Sequence, residues 1–409
     1  MKFSEIVSSI AGKLGDSLLD PRASNVCIPV PALSTRYLLQ NEGLFLGKII
    51  HLIGEEASFK STFALEVMRW HLAAAGYGII FETETRPVSD VQQAVLKDTS
   101  RYWCISCSSL DQWQLGILHA IKCFNESDEH APLCIIVDSL LGCNSEDTIK
   151  KHEEEGSLSA RFSVESRAIA DFLRSNANKL LGTLITLCFV NHKKVRQAAG
   201  AYWAAPPIIT SLGGSEPKFY ASYEFLLSRS SDTRTSINSL YQHEVTFRVQ
   251  KNTFGIQDFE LRCPIRFITK DGCLVDVDFD WYTATVNLLT TDRAVRPAFS
   301  AAVKRQIREI CDIQSRSAGP KGTYYYCEQL GIPASDAVPS RELGMLIEQR
   351  PDILEALYSV LNIRRRYMYN PELSLEENRK RSVEFEKNYT TNVISTSDSE
   401  VPKSEEVAE

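Results

Sequence analysis

The sequence predicts an α/β fold in which helices cover a mostly parallel sheet. The first observation is that apolar, strand-like runs alternate with helix-like segments from about residue 48 to residue 190, a pattern typical of parallel strands joined by crossover helices. The second is that each strand-like run is followed by polar residues. In such a sheet, ligands bind beyond the carboxyl ends of the strands.

The predicted elements follow in regular order. Strands are expected over 48–53, 78–82, 102–107, 133–138 and 183–190, and helices over 60–75, 110–124 and 160–181. In the first helix, Phe63, Val67 and Leu72 recur at helical spacing, and Gly76 ends it. Parallel strands present their carboxyl ends at one edge, so the polar residues that follow these strands are expected to lie together.

The turn after the first strand has the composition of a phosphate-binding loop. The loop is predicted to consist of Gly54, Glu55, Glu56, Ala57, Ser58, Phe59, Lys60, Ser61 and Thr62. Loop N–H groups and the helix N-terminus attract phosphate, the Lys60 amine can reach the β and γ oxygens, and the Ser61 hydroxyl can bind Mg²⁺. A nucleoside triphosphate with Mg²⁺ is therefore predicted. Phe59 departs from the pattern, which normally has glycine before the lysine.

Two other strands end in carboxylates. The apolar run before Asp138 has the form that delivers one carboxylate to a nucleotide-bound metal. The strand before Glu82 continues to Glu84, and a carboxylate there can activate the water that attacks the γ-phosphate. Residues two apart in an extended chain point to the same side, so we assign Glu84 as the base and expect Glu82 to shape the site. A solvated acidic turn is the alternative.

A histidine and a basic loop follow the next strand. His192 can sense the γ-phosphate through a neutral hydrogen bond, although a lone histidine is more often structural. Residues 193–216 are predicted to form a loop without secondary structure, and loops of this length are usually functional or disordered. Charged and aromatic side chains for nucleic acid are supplied by Lys193, Lys194, Arg196, Tyr202 and Trp203. A plain surface loop is the alternative.

The two ends of the chain have distinct compositions. Residues 1–19 have the spacing of an amphipathic helix, which is expected to dock on its own domain or on a neighbouring copy. Beyond 371, acidic residues outnumber basic ones by 10 to 5, so 371–409 is predicted to be a disordered acidic tail. No apolar run reaches the roughly 18 residues of a membrane span, and the 11 cysteines lie scattered. A cytoplasmic protein without a membrane partner is expected.

Taken in order, these motifs resemble those of the RecA-type recombinases, most closely the bacteriophage UvsX-like branch. The resemblance covers roughly residues 25 to 280. It is carried by Ser58-Phe59-Lys60-Ser61, Val137-Asp138-Ser139-Leu140, Val190-Asn191-His192, and Gly213-Gly214 followed by Lys218-Phe219-Tyr220. The first of these motifs is similar to the loop of the phage branch, which accounts for Phe59.

The resemblance implies an ATP- and Mg²⁺-dependent recombinase that forms helical filaments on single-stranded DNA. It would pair that strand with homologous duplex DNA and exchange strands in recombination and repair. Its partners would be single- and double-stranded DNA, further copies of itself, and single-strand-binding and mediator proteins. If the chain is phage-encoded, the implied location is the cytoplasm of the bacterial host.

Site residues are carried over from the family by position. The catalytic residues would be Glu84, Lys60, Lys251 and His192, the metal residues Ser61 and Asp138, and the DNA-binding residues Arg161, Lys193, Lys194, Arg196, Tyr202, Trp203, Gly213 and Gly214. Lys251 matches the first of two basic residues that reach a neighbouring copy's nucleotide. The second position is Thr253, which leaves the rate of hydrolysis open, because such charges stabilise the transition state.

The resulting organisation has four parts. They are an N-terminal oligomerisation helix and linker (1–30), a RecA-like ATPase core (31–290), a small helical C-terminal domain (291–370) and the acidic tail (371–409). Two other interpretations stay open. One is a nucleotide-binding filament or scaffold protein with little or no hydrolysis, motivated by Thr253 and Phe59. The other is a helicase-like motor on the same core, against which the motif after Gly213 argues.

Overall fold

The computed structural model describes residues 25–84, 89–97, 100–127, 130–146, 148–150, 162–196, 208–211, 216–230, 235–237, 240–271, 273–317 and 322–397. Numbered in chain order, the strands are β1 (Cys27–Pro29), β2 (Gly43–Phe45), β3 (Ile49–Gly54), β4 (Tyr77–Glu82), β5 (Tyr102–Ser106), β6 (Leu133–Asp138), β7 (Ile185–Arg196), β8 (Ile208–Ser211), β9 (Tyr223–Arg229), β10 (Thr235–Ile237), β11 (Leu240–Asn252), β12 (Phe259–Lys270), β13 (Cys273–Phe279), β14 (Val295–Arg296), β15 (Gln314–Ser317), β16 (Thr323–Tyr326) and β17 (Val338–Pro339). The helices are α1 (Leu33–Leu39), α2 (Lys60–Ala73), α3 (Asp90–Leu96), α4 (Leu110–Glu126), α5 (Phe162–Asn176), α6 (Glu216–Tyr220), α7 (Trp281–Thr290), α8 (Ala301–Ile310), α9 (Ser340–Glu348), α10 (Pro351–Leu361) and α11 (Leu375–Ser397). Within these described ranges, no helix is both long enough and apolar enough to cross a lipid bilayer.

One large sheet organises the core. Its strands lie in the order β13-β12-β11-β9-β3-β7-β6-β4-β5. From β9 to β5 each strand is parallel to its neighbour, while β11, β12 and β13 form an antiparallel extension beside β9. The predicted α/β fold, a mostly parallel sheet flanked by helices, is confirmed and is consistent with a RecA-like core. The extension was not predicted, because its strands follow one another without intervening helices.

Helix α2 is buried on nearly all sides. The ring of Phe63 packs against Phe247 and Trp281, with centroids 4.8 Å and 6.2 Å away. The buried Glu66 carboxylate accepts hydrogen bonds from the indole N–H groups of Trp70 and Trp281, at 2.9 Å and 3.1 Å. Burial raises the pKa of Glu66, and these two donors compensate part of the cost of burying it. The packing fixes the axis of the helix that follows the candidate phosphate loop.

Residues 291–370 contain a small sheet in addition to the predicted helices. Helices α8, α9 and α10 are accompanied by the three-stranded sheet β15-β16-β17. Ion pairs join this unit to the core, among them Arg36 with Glu348 at 2.7 Å and Arg341 with Asp278 at 2.6 Å. Strand β15 is polar and exposed, β16 carries three consecutive tyrosines and β17 has two residues, so none of them shows the hydrophobic alternation by which a strand is recognised in sequence.

Part of the predicted acidic tail is helical. Residues 375–397 form α11, so disorder from 371 onward is the wrong prediction for this stretch, and 398–409 lie outside the described residues. The Arg366 guanidinium pairs with the Glu386 carboxylate at 2.6 Å, with side chains 8% and 11% exposed. The fully buried Asn378 amide donates to three backbone carbonyls. These anchoring side chains are polar, and composition alone predicts that polar residues are exposed to solvent.

The first described residues form hydrogen bonds with the segment that precedes α11. Residues 1–24, which hold most of the predicted oligomerisation helix, lie outside the described residues. Strand β1 pairs with β2, and the N–H of Cys27 donates to the carbonyl of Tyr367 at 3.0 Å. The N–H of Tyr369 in turn donates to the carbonyl of Cys27 at 2.7 Å. The first described residues are therefore joined to residues 367–369 by backbone hydrogen bonds.

His71 on α2 gives a test of this packing through pH. Its ring is fully buried, 2.8 Å from the Val67 carbonyl and 2.9 Å from Thr186 Oγ1, and burial lowers the pKa of His71 to about 4. In the unfolded chain a histidine has a pKa of roughly 6.5. Below that pH, the unfolded chain binds a proton at His71 that the folded chain does not bind. We expect the free energy of unfolding to fall by about 3 kcal/mol between these two pKa values as pH is lowered.

Urea unfolding at a series of pH values measures this loss. The variant His71→Gln has no imidazole there, so its stability should lack this part of the pH dependence while being lower at neutral pH. If the parent and the variant lose stability in parallel as the pH falls, the assignment to His71 is wrong.

Candidate nucleotide-binding site

The candidate phosphate loop joins β3 to α2 at the carboxyl edge of the sheet. A Cβ atom on Gly54 would lie 2.3 Å from Ser58 Oγ and 2.6 Å from the Leu227 carbonyl oxygen, so glycine is required where the strand ends. Ala57 and Phe59 have φ angles of 56° and 67°, in the left-handed region that disfavours residues with a side chain. The chain therefore curls tightly before the helix begins.

Lys60 lies at the centre of this curl. Its amine donates to the Glu55 carbonyl at 2.5 Å and lies 3.5 Å from Ser58 Oγ. The residue is only 6% exposed, and a buried amine requires oxygen partners. Charged phosphate oxygens are stronger acceptors than a neutral carbonyl, so the loop is suited to exchange the Glu55 contact for a phosphate.

A cavity of about 250 Å³ lies at the loop. It brings together residues 56–62 of the loop and helix with Glu84, Asp138 and His192, four segments that are far apart in sequence. Gly54 and Glu55 belong to the loop but do not line the cavity. The predicted nucleotide and catalytic residues, apart from these two and Lys251, therefore surround one space.

The oxygen atoms at this cavity fit Mg²⁺. The Ser61 hydroxyl and the Asp138 carboxylate both line it, and both are the hard donors that this ion prefers. In the part of the chain that the structure describes, no three Asp, Glu, His or Cys side chains are grouped as a metal cluster. Mg²⁺ at a triphosphate needs only one or two protein oxygens, because phosphate and water supply the rest.

Glu84 is held at the cavity by residues at the end of β6. Its Oε1 accepts a hydrogen bond from Ser139 Oγ at 2.8 Å and lies 3.4 Å from His192 Nε2. Thr83 Oγ1 donates to the Ser139 carbonyl and accepts from the Ser139 N–H, both at 2.7 Å. The Glu84 N–H donates to Glu82 Oε1 at 2.9 Å, in keeping with the shaping role expected of Glu82. The roles of Thr83 and Ser139 were not predicted. The sequence signal that could have indicated them is a hydroxyl residue directly after the carboxylate that ends each strand.

The segment after His192 is more ordered at its ends than predicted. Strand β7 continues to Arg196 and pairs antiparallel with β8, with Val195 opposite Ile209. The prediction that 193–216 lacks secondary structure is therefore wrong for these strands and for α6. Branched apolar side chains favour extended, paired backbone, and this local preference outweighs the basic composition.

The hairpin contacts the phosphate loop, and the rest of the predicted DNA surface is not described. The Lys193 amine lies 3.0 Å from the Glu55 carboxylate. The structure describes Lys194 and Arg196 through their backbone pairing. The predicted DNA-binding residues outside the described residues are Arg161, Tyr202, Trp203, Gly213 and Gly214.

Lys251 does not reach the cavity of its own chain. It is opposite Glu224 in the sheet, and its amine donates to the carbonyls of Lys218 and Phe219 at 2.9 Å and 2.6 Å. Burial lowers the pKa of Lys251, against the opposing charge of Glu224. A catalytic role for Lys251 thus requires the nucleotide of a neighbouring copy, as the resemblance implies.

Two further residues line the cavity, Arg229 at the end of β9 and His243 on β11. The Phe59 ring packs beside the sheet at this point, with centroids 5.5 Å from His243 and 5.8 Å from Phe267. The Arg229 guanidinium lies 5.9 Å from the same ring. Neither of these lining residues was predicted, because no motif marks them and neither β9 nor β11 was among the predicted strands.

The chain is similar to bacterial proteins named Protein RecA. It is 23% identical to that of Pseudarthrobacter chlorophenolicus over 337 residues, which cover 76% of this chain and 90% of the relative. It is also 23% identical to those of Paenarthrobacter aurescens over 270 residues (65% and 72% of the two chains) and of Nostoc sp. over 291 residues (66% and 77%). No family model matches the chain. The similarities support a RecA-type family.

The unusual Phe59 allows a paired test of the loop conformation. Both Phe59→Ala and Phe59→Gly remove the ring and its contacts, but only glycine adopts a positive φ without strain. We expect both variants to be less stable than the parent, and Phe59→Gly to be more stable than Phe59→Ala by about 1 kcal/mol. Chemical denaturation measures the difference. Equal stability of the two variants would contradict a left-handed residue at this position.

Proposed function

We propose that this chain is an ATP-dependent DNA recombinase that forms filaments on single-stranded DNA and catalyses homologous pairing and strand exchange. The observation that carries the proposal is the single cavity shared by Lys60, Ser61, Asp138, Glu84 and His192. The similarity to proteins named RecA supports the recombinase class. The serine, phenylalanine and lysine run in the phosphate loop supports the bacteriophage UvsX-like branch, and a phage-encoded protein would act in the cytoplasm of its bacterial host.

Nucleotide binding begins at the loop. The Lys60 amine leaves the Glu55 carbonyl for the β and γ oxygens of ATP, while Ser61 and Asp138 hold Mg²⁺. When bound, the ion neutralises charge on the phosphates. Arg229 adds a further positive charge at the cavity.

Hydrolysis depends on Glu84 and His192. The hydrogen bond from Ser139 fixes the Glu84 carboxylate so that it can orient a water and accept its proton. His192 Nε2 lies 3.4 Å from Glu84 Oε1, and the other side of the imidazole ring contacts the γ-phosphate. Because His192 lies on β7, the nucleotide state is passed along this strand to the hairpin.

The hairpin and the segment that it carries form the proposed DNA surface. Lys193, Lys194 and Arg196 neutralise backbone phosphates, and Tyr202 and Trp203 stack on bases. Further contacts with the strand come from Arg161, Gly213 and Gly214. The ion pair of Lys193 with Glu55 links this surface to the phosphate loop, so nucleotide and DNA binding are expected to depend on each other. Duplex DNA, other copies of the chain, and single-strand-binding and mediator proteins are the further partners.

A nucleotide-dependent filament with little hydrolysis is the second candidate. Its support is that the Thr253 hydroxyl donates to the Ser222 carbonyl of its own chain at 3.1 Å, and threonine supplies no positive charge. The Lys251 amine is likewise engaged by carbonyls of α6. In this case ATP would stabilise contacts between copies without being turned over quickly.

ATP hydrolysis with and without single-stranded DNA separates the two candidates. We expect DNA to stimulate turnover by the parent and Lys60→Ala to abolish it, because the phosphates lose their cationic partner. Glu84→Gln should lower kcat by about 100-fold or more while ATP affinity changes little, because only the base is lost. Glu384→Gln, an exposed residue on α11, is the matched control and should behave as the parent. A parent that binds ATP but is not stimulated by DNA would favour the second candidate.

A further inference from the structure

A row of buried polar side chains crosses the middle of the sheet. Glu224 on β9, His51 on β3 and Asn191 on β7 are 1%, 0% and 1% exposed, and the three strands are adjacent. Placing three polar groups in an apolar core costs free energy unless they satisfy one another. None of them takes part in the catalytic steps proposed above.

Each of these residues contacts the next. His51 Nδ1 lies 2.9 Å from Glu224 Oε2, and His51 Nε2 lies 3.2 Å from Asn191 Nδ2. Asn191 Oδ1 accepts a hydrogen bond from the N–H of His192 at 2.8 Å. On the far side, the Lys218 amine lies 3.1 Å from Glu224 Oε1. We refer to Lys218, Glu224, His51 and Asn191 as the cross-sheet polar chain.

The partners determine where the proton of His51 lies. The Glu224 carboxylate can only accept, so Nδ1 carries the hydrogen, and the Asn191 amide N–H donates to Nε2. Burial raises the pKa of Glu224, but the hydrogen bond from His51 and the charge of Lys218 outweigh burial and hold this pKa below its usual value. The carboxylate therefore remains the ionised acceptor at neutral pH.

The Asn191 amide has one orientation that serves both of its neighbours. If the amide turned over, its oxygen would face the lone pair of His51 Nε2 and its NH₂ group would face the N–H of His192. Both hydrogen bonds would then be lost together. A displacement of the His192 backbone therefore changes the hydrogen bond between Asn191 and His51, because hydrogen bonds in a buried network act on one another.

The two ends of the cross-sheet polar chain lie at different places. At one end, His192 Nε2 is 3.4 Å from Glu84 Oε1 at the cavity. At the other end, Lys218 lies on α6 beside Phe219, which is 70% exposed. The Lys251 amine is bound by the carbonyls of Lys218 and Phe219. The cross-sheet polar chain thus connects the candidate catalytic residues with a surface that does not line the cavity.

We propose that the cross-sheet polar chain couples occupancy of the nucleotide cavity to the order of α6, with His51 and Glu224 as positioning residues. The inference rests on the proposed function only in that the cavity takes ATP. When His192 turns toward a bound phosphate, its N–H moves the Asn191 amide. The change passes through His51 to the carboxylate that holds Lys218, and α6 is more firmly held in the occupied state.

A purely structural role predicts a different outcome, and His71 separates the two roles. Like His51, His71 is 0% exposed and has a partner at each ring nitrogen. It contacts no member of the cross-sheet polar chain and does not line the cavity. Its replacement should lower stability without changing the response of α6.

Hydrogen–deuterium exchange of the full chain measures this response. Peptides covering 216–223 are followed with and without saturating Mg²⁺ and the slowly hydrolysed analogue ATPγS. We expect the analogue to slow exchange in the parent and in His71→Gln by about tenfold. His51→Gln and Glu224→Gln should lose most of this slowing while still binding the analogue, as checked by calorimetry.

Each outcome decides the inference. If His51→Gln and Glu224→Gln keep the slowing, or if the parent binds the analogue without any change at α6, the coupling is wrong. If His71→Gln loses the slowing as well, the effect is general destabilisation and the coupling is again wrong. If His51→Gln does not fold, Glu224→Gln decides, because it preserves the side-chain shape. Slowing in a parent that lacks DNA-stimulated hydrolysis would support the coupling and count against the recombinase proposal.

Discussion

The tight turn from Gly54 to Lys60 is the constraint on which the rest of the structure depends. A side chain at Gly54 would collide with Ser58 and with the neighbouring strand, and two residues of the turn hold left-handed backbone. This conformation persists only because the surroundings determine it. Helix α2 supplies much of that support, since its aromatic packing and the buried Glu66 fix the helix that begins at Lys60.

The replacement of a glycine by Phe59 links the loop to the second half of the sheet. The ring contacts His243 and Phe267 in the antiparallel extension, so the extension holds the loop in place, and His243 also lines the cavity. The residue that departs from the motif therefore connects the loop to the antiparallel extension. Strain at the left-handed position is offset by this packing.

The sequence predicted the parallel strands, the loop and the carboxylates at the strand ends, because hydrophobic periodicity and loop composition are local properties. It did not predict the Thr83 and Ser139 contacts or the lining role of Arg229, which depend on which strands become neighbours. Helix α11 was missed for another reason. Its anchors, such as Asn378 and Glu386, are polar residues whose partners lie elsewhere in the chain, and composition assigns such residues to solvent. The cross-sheet polar chain likewise has no local signature, since its members come from three separate strands and from α6.

The backbone hydrogen bonds between β1 and residues 367–369 constrain the order in which the protein can fold. Strand β1 bonds to Tyr367 and Tyr369, and Asn41 accepts a hydrogen bond from Arg366 across 325 residues of sequence. During synthesis from the N-terminus, the first strands emerge from the ribosome long before these partners exist. Their buried backbone and side-chain groups must stay solvated, or be protected by a chaperone, until residues 366–369 have been translated. Contacts of such long sequence separation also slow folding, so this closure is expected to be among the last steps of maturation.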